Sequence, residues 1–337
     1  MSSLVVRYMA LAALIAVLWG VCFVLIQASL PSPAPLLQAG MRALLGGTVV
    51  GAAVLLRRTL SPIRTAGRDG GRCPAAGRKG AGLPSAGLLV LLALANGTLA
   101  FGAMYLAAGR AEAAVASVLA SGQPVLLAAA GWLWFGERGS WRSVAGLSLG
   151  LGGMVLVAGT ASGAATPDGV ALALLATIAP TGGTLLMRRL APNIDLVATA
   201  AAQFLLGGAI LVGVSAILEP WSNLRWSAAI PGLLVLGVLG TGFAYVGWFW
   251  LLGRLPLVIL GAALFLVPVT GVAVAIGLGD RPSPVELTGM AVAIAGIGLV
   301  AADPALRAGA RPPISAASAG VTRPSPRRRS PDEDRVP

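Results

Sequence analysis

Long apolar stretches almost free of charge run through this chain, and they constrain its fold more than any other feature. Ten segments reach or approach the ~20 apolar residues that a helix needs to cross hydrocarbon. They are 8–30, 36–56, 84–108, 112–135, 143–161, 169–187, 196–218, 229–252, 256–278 and 285–302. Several junctions are only a few residues long and carry Pro or Gly: Pro31, Ser32 and Pro33, then Gly109 and Arg110, then Gly253 and Arg254. Of the 337 residues, 57% are hydrophobic and 11% charged. A water-soluble domain needs roughly a quarter charged residues to coat itself, so lipid must be the solvent here. The first stretch follows Arg7 and is longer than the apolar core of a cleaved signal peptide, so it is expected to stay as the first helix.

The remaining charge sets an orientation. With the N-terminus cytoplasmic, 20 of the 24 Lys and Arg residues fall on the inner side and three on the outer, while Arg42 lies within a span. That bias predicts a multi-pass plasma-membrane protein with both termini in the cytoplasm. Trp221 and Trp226 then belong to the outer interface, and Trp132, Trp134 and Trp141 to the inner one. The formal charge of +12 sits beside apolar spans, which reads as a topology signal rather than a nucleic-acid footprint. Residues 303–337, rich in Pro, Ser and Arg, are expected to form a disordered basic tail in the cytoplasm.

The two halves of the chain resemble each other. Pro31 matches Pro192 at an offset of 161, and Arg42 with Gly46 and Gly47 matches Gln203 with Gly207 and Gly208 at the same offset. Pro124 matches Pro268 at 144, and Gly136, Glu137 and Arg138 match Gly279, Asp280 and Arg281 at 143. The drop in offset equals the difference in length between a basic loop at 57–83 and its counterpart at 219–228. The expected units are a five-helix repeat over 1–161 and a second over 168–302. An odd number of spans makes the second unit enter the bilayer from the opposite side. The predicted fold is therefore all-α and integral to the membrane, with ten transmembrane helices as two inverted five-helix repeats. Such pairs of units can rock about a shared site at mid-membrane, the geometry of secondary transport.

Candidate residues follow from polarity inside the spans. Arg42 is the one cation placed well within a helix, where a charge costs at least ~2.5 kcal/mol unless paired or hydrated. It suits a carboxylate or phosphate; alternatively it snorkels to the outer surface. Gln123 precedes Pro124 in mid-span, and a proline frees a backbone carbonyl one turn earlier; Pro268 repeats this in the other half. Both prolines are candidate hinges or kinks. Trp19, Phe23 and Gln27 share one face of the first span, as do Phe101 and Tyr105 in the third, with Asn96 below them. Tyr245 and Trp248 share a face of the eighth. The substrate-binding candidates are thus Trp19, Arg42, Asn96, Tyr105, Gln123, Gln203 and Tyr245. Trp248 and Trp250, near an inner helix end, read better as lipid-facing. Gly146, Gly150 and Gly153, with their counterparts Gly289, Ala293 and Gly296, form small-residue stripes that could pack helices or receive a second copy in a homodimer.

Trp19 and Gly20, Arg42, Gln123 and Pro124, Gly136 to Arg138 and the Gly-stepped fifth span, taken in order, resemble the EamA-type repeat of the drug/metabolite transporter superfamily. The resemblance covers about residues 8–302 in two copies. It implies ten helices, both termini inside, and movement of small metabolites. The second copy departs from it, with Gln203 in place of Arg42, Asp280 in place of Glu137 and Pro180 near the place of Trp19.

No acid lies at the centre of a span, unlike the central Glu of small multidrug proton antiporters. The expected cargo is therefore a neutral or anionic metabolite, amino acids included, with efflux as one of its directions; multidrug or nucleotide-sugar carriage are the rivals within the superfamily. There is no histidine, and the loop 57–83 lacks the Gly-Lys-Ser/Thr of a nucleotide-binding loop. No cofactor, metal or catalytic set is expected. A membrane-embedded enzyme or a non-transporting scaffold is the less favoured reading.

Overall fold

The structure is a computed structural model that describes residues 3–28, 32–66, 82–108, 122–159, 166–224, 226–279 and 281–308. Phe23 and Gln27 (side chains), Arg110, Glu112, Asp280, most of the basic loop and the tail beyond 308 lie outside the described residues.

The described chain is helical. In order it holds α1 (Ser3–Ala28), α2 (Pro35–Ala66), α3 (Ala86–Ala108), α4 (Gly122–Trp134) and α5 (Trp141–Gly159). There follow α6 (Pro167–Leu190), α7 (Leu196–Leu218), α8 (Ala229–Leu252), α9 (Leu257–Val274), α10 (Pro284–Ala301) and the short α11 (Pro304–Ala308). Eight of these are long and apolar enough to cross a membrane; the apolar part of α5, Trp141–Val157, is shorter. The protein is thus a multi-pass membrane protein. Local signals explain the helix starts. Asp195 caps α7 by accepting from the Val197 and Ala198 amides, and Ser283 with Glu286 makes a reciprocal capping box on α10.

Backbone-to-backbone contact at small residues closes the bundle. A Cβ added at Gly146 on α5 would sit 2.6 Å from the Gly296 carbonyl of α10. One added at Gly289 would sit 2.6 Å from the Gly153 carbonyl. The two glycine stripes therefore face each other within one chain. The same device joins α2 to α7, where Gly40 packs on Gly208 and Gly47 on Leu205. Without a hydrophobic force between helices in lipid, such close approach supplies the attraction through dispersion.

Two spans change their winding at mid-length. α3 widens to i→i+5 hydrogen bonding over Ala93–Leu99, and α8 does so over Val235–Phe243. Such widened turns displace carbonyls from the regular ladder. α9 is interrupted by a turn at Leu264 and Phe265, one helical turn before Pro268, which has no amide to close that ladder. Pro124 lies near the start of the described part of α4, and Gly261 of α9 fits against its backbone, where a Cβ would be 2.9 Å from the Pro124 carbonyl.

Past α10 the chain stays folded for seven more residues, the last six of them 303–308. Asp303 is fully buried and ties the start of α5 to the end of α10, and Leu306 of α11 is buried too. These six residues, placed by sequence in the tail, are part of the bundle, because a buried carboxylate anchors them.

Candidate functional site

α2 carries Arg42 two turns in from its first residue, and Arg42 is 3% exposed. Its Nε donates to the Thr241 hydroxyl at 2.9 Å. Thr241 lies in the widened stretch of α8, and its own hydroxyl donates to the Leu236 carbonyl at 3.1 Å. The guanidinium also covers the Phe101 ring of α3, 4.9 Å from its centroid. Nη1 is buried and has no hydrogen-bond partner, and no carboxylate among the described residues pairs with Arg42. The snorkelling alternative is therefore not what this side chain does: it is enclosed.

Aromatic rings wall the cation. Trp19 of α1 donates through Nε1 to the Gly240 carbonyl at 2.9 Å, one residue before Thr241. Its ring meets Tyr245 and Trp248, each at 5.1 Å. Tyr245 lies edge-on to Phe204 of α7 at 4.6 Å, and Phe204 stacks with Phe101 at 5.7 Å. Tyr105 is 1% exposed, and its hydroxyl lies against the Arg42 guanidinium, with which it interacts. The Cys22 thiol packs on Gly240, where any side chain would collide with it. Arg42, Trp19, Tyr105 and Tyr245 are thus brought together.

Asn96 and Gln203 form a second group. Asn96 Nδ2 donates to Gln203 Oε1 at 3.1 Å, and Gln203 Nε2 is buried without a partner. Gln203 is 0% exposed. Asn96 presses on Gly183 of α6, where a Cβ would collide with its amide. Gln123 opens α4, half-buried, and no described contact links it to Arg42 or to this pair.

Sequence reasoning missed Thr241, Cys22 and Phe204. Thr241, Tyr245 and Trp248 recur at i, i+4 and i+7, so one face of α8 carried the signal for Thr241. Trp248, expected to face lipid, is 2% exposed, because α1 covers it through Trp19.

Acidic groups hold the ends of helices rather than the surroundings of Arg42. Glu219 at the end of α7 accepts from the Leu36 and Leu37 amides of α2 at 2.8 and 3.0 Å. Glu137 after α4 accepts from the Leu257 and Val258 amides of α9 at 2.7 and 3.2 Å, with Arg188 at 3.5 Å. Each carboxylate meets the positive end of a helix dipole. Burial pushes the Glu137 carboxyl above its ordinary value, against the opposing pull of those two amides and of Arg188. Arg57 of α2 pairs with Asp195 at the start of α7.

The described residues thus form an all-helical membrane bundle that encloses a cation between its helices. The chain belongs to the EamA-like transporter family, whose model matches residues 6–159 and 168–302. It is 27% identical over 264 residues to the transporter YvbV of Bacillus subtilis (strain 168), covering 78% of this chain and 80% of that protein. It is 27% identical over 235 residues to a protein of Streptantibioticus cattleyicolor named "Probable terminal-alkyne amino-acid exporter", covering 67% of this chain and 77% of that one. PecM of Dickeya dadantii (strain 3937) is 25% identical over 252 residues, covering 74% of this chain and 77% of PecM. A solved crystal structure superposes with a TM-score of 0.66 at 21% identity, covering 86% of this chain and 95% of that one, which shows a shared fold.

Proposed function

We propose that this protein is a secondary transporter that moves a small carboxylate-bearing metabolite, an amino acid or a related solute, across the plasma membrane by alternating access. One observation carries the reading: Arg42 is enclosed with Nη1 unpaired and no carboxylate facing it among the described residues. A buried guanidinium without a counter-ion is costly. A ligand carboxylate, accepting from the free face of the fork, would offset that cost. Substrate supplies in transit what the protein withholds at rest.

The rest of the reading is two inverted five-helix repeats, ten spans in all, with both termini cytoplasmic. It is supported by the two stretches matched by the family model, by the widened turns in α3 and α8, and by the pairing of α5 with α10 and of α2 with α7. Outward movement is favoured by the exporter name of one relative. The aromatic walls around Arg42 suit the apolar part of such a solute.

Flux into proteoliposomes tests this. Purified protein should exchange labelled amino acids, and unlabelled carboxylates should compete. Preferential movement of lipophilic cations would sink the reading.

A further inference from the structure

Arg42 and Gln203 occupy matching places in the two halves of the sequence, offset by 161. The match extends to their surroundings. Arg42 reaches the widened stretch of α8 at Thr241, and Gln203 reaches the widened stretch of α3 at Asn96. Gly240 packs on Cys22 of α1, and Asn96 packs on Gly183 of α6. Cys22 and Gly183 are again 161 apart. So one architecture is used twice, with a cation in one copy and an uncharged amide in the other.

The amide copy is also incomplete. Gln203 is 0% exposed, and Nε2 has no partner. Turning the two amides over exchanges their nitrogen and oxygen atoms but still leaves one polar end of Gln203 unpaired. A buried polar atom without a partner is disfavoured, as at Arg42 Nη1. The two unfinished groups lie on helices in direct contact. Gly40 of α2 packs against Gly208 and Val212, and Gly47 against Leu205, with the helices antiparallel. Arg42 is therefore level with the region of Gly208, and Gln203 lies roughly five residues further along α7, about 8 Å along the axis. Phe101, stacked on Phe204, spans the interval: Arg42 covers Phe101, and Phe204 follows Gln203 in sequence.

We propose that Asn96 and Gln203 form a second, uncharged polar subsite that receives a hydrogen-bonding group at the far end of the substrate and excludes a second anion there. This rests on Arg42 as the carboxylate anchor. The subsite takes a neutral hydroxyl, carbonyl or amide, because no cation among its described contacts could balance a carboxylate. An apolar end leaves Gln203 unpaired. The substrate class is thus a small monocarboxylate with a neutral polar terminus.

Glutamine, glutamate and norvaline share the amino-acid head and differ in that terminus: amide, carboxylate and alkyl. Uptake of each by full-length protein in proteoliposomes is the test. Wild type should favour glutamine over both others by about tenfold or more, the scale of one buried hydrogen bond or charge. In Gln203→Leu the ratio of glutamine to norvaline should collapse toward one. If that variant does not fold, Gln203→Asn, one carbon shorter, should lower the same ratio. Wild type taking glutamate as readily as glutamine overturns the proposal. So does an unchanged glutamine-to-norvaline ratio in the variants, or no uptake of any of the three. Arg42→Met separates the two readings. If it still carries all three solutes, the anchor assignment fails, whereas the subsite is judged on the ratio alone.

Discussion

The Arg42 Nε and the Thr241 hydroxyl meet at 2.9 Å although 199 residues separate them in sequence. This bond ties α2 to the widened middle of α8 and fixes one edge of the guanidinium. Nη1 has no regular hydrogen-bond partner, and the Thr241 hydroxyl also donates to the Leu236 carbonyl.

Replacing Arg42 by Met should separate function from stability. The variant removes a buried unpaired charge while keeping most of the side-chain volume, so its Tm in detergent should equal or exceed that of the wild type. Carboxylate flux should fall by about tenfold or more, as a charge-assisted contact is lost. Arg42→Lys should recover only part of it, because an ammonium cannot keep Thr241 on one edge and a carboxylate on the other in the same planar geometry. A variant that transports normally removes Arg42 from the site.

Two glycines on α5 should behave oppositely. Gly146→Val would place Cβ 2.6 Å from the Gly296 carbonyl and 2.7 Å from Val300, so α5 and α10 must separate. The expected loss is about 1–3 kcal/mol, the usual cost of overpacking. Gly152→Val on the same helix meets nothing within 4 Å and should be near neutral. Thermal unfolding of both variants checks this; equal losses would mean that helix propensity, not contact, governs the stripe.

Glu137 holds α9 from outside its first turn. Glu137→Ala would leave the Leu257 and Val258 amides without this acceptor and remove the contact to Arg188 at 3.5 Å. Stability should drop by about 1–3 kcal/mol. Glu137→Gln, which keeps one carbonyl oxygen, should lose less. The order wild type, Gln, Ala in Tm is the readout.

Asp303 should make stability depend on acid. Burial alone would raise its carboxyl, but the Ser143 hydroxyl, the Ser140 amide and hydroxyl and the Ala305 amide outweigh it and hold it at about 2, below the ordinary 3.8. The folded state thus favours the ionised form. Its contribution is complete above the ordinary value and is lost as pH falls through 3.8 toward about 2. Asp303→Asn should lower Tm at pH 6, and the gap to wild type should close as pH approaches 2. A gap that stays constant with pH would show that shape, not charge, holds this corner.

Much of the fold was legible because lipid demands it. Helices must satisfy their own backbone polar groups in hydrocarbon, so apolar length alone marks them. The small-residue stripes were legible too, with helix packing among their uses, but not which helices they join: Gly146 and Gly296 proved to be each other's partners within one chain. Trp248 was misjudged because nearness to a helix end says nothing about which neighbour covers it. α1 covers it, through a residue 229 positions earlier, at a ring distance of 5.1 Å.

By itself the sequence determined the solvent of this protein, its apolar helices and the presence of one cation among them, since each depends on composition along a single segment. It also marked Arg42 and Gln203 as counterparts, through an offset that needs no coordinates. Only the tertiary structure decided that Arg42 is enclosed, that Thr241 takes one edge of it, and that Gln203 turns to Asn96 with one end unpaired. Those are relations between segments roughly 100 to 200 residues apart, set by where glycines let backbones approach and where a widened turn displaces a carbonyl. Pairing across such distances is a property of packing, and no local pattern encodes it.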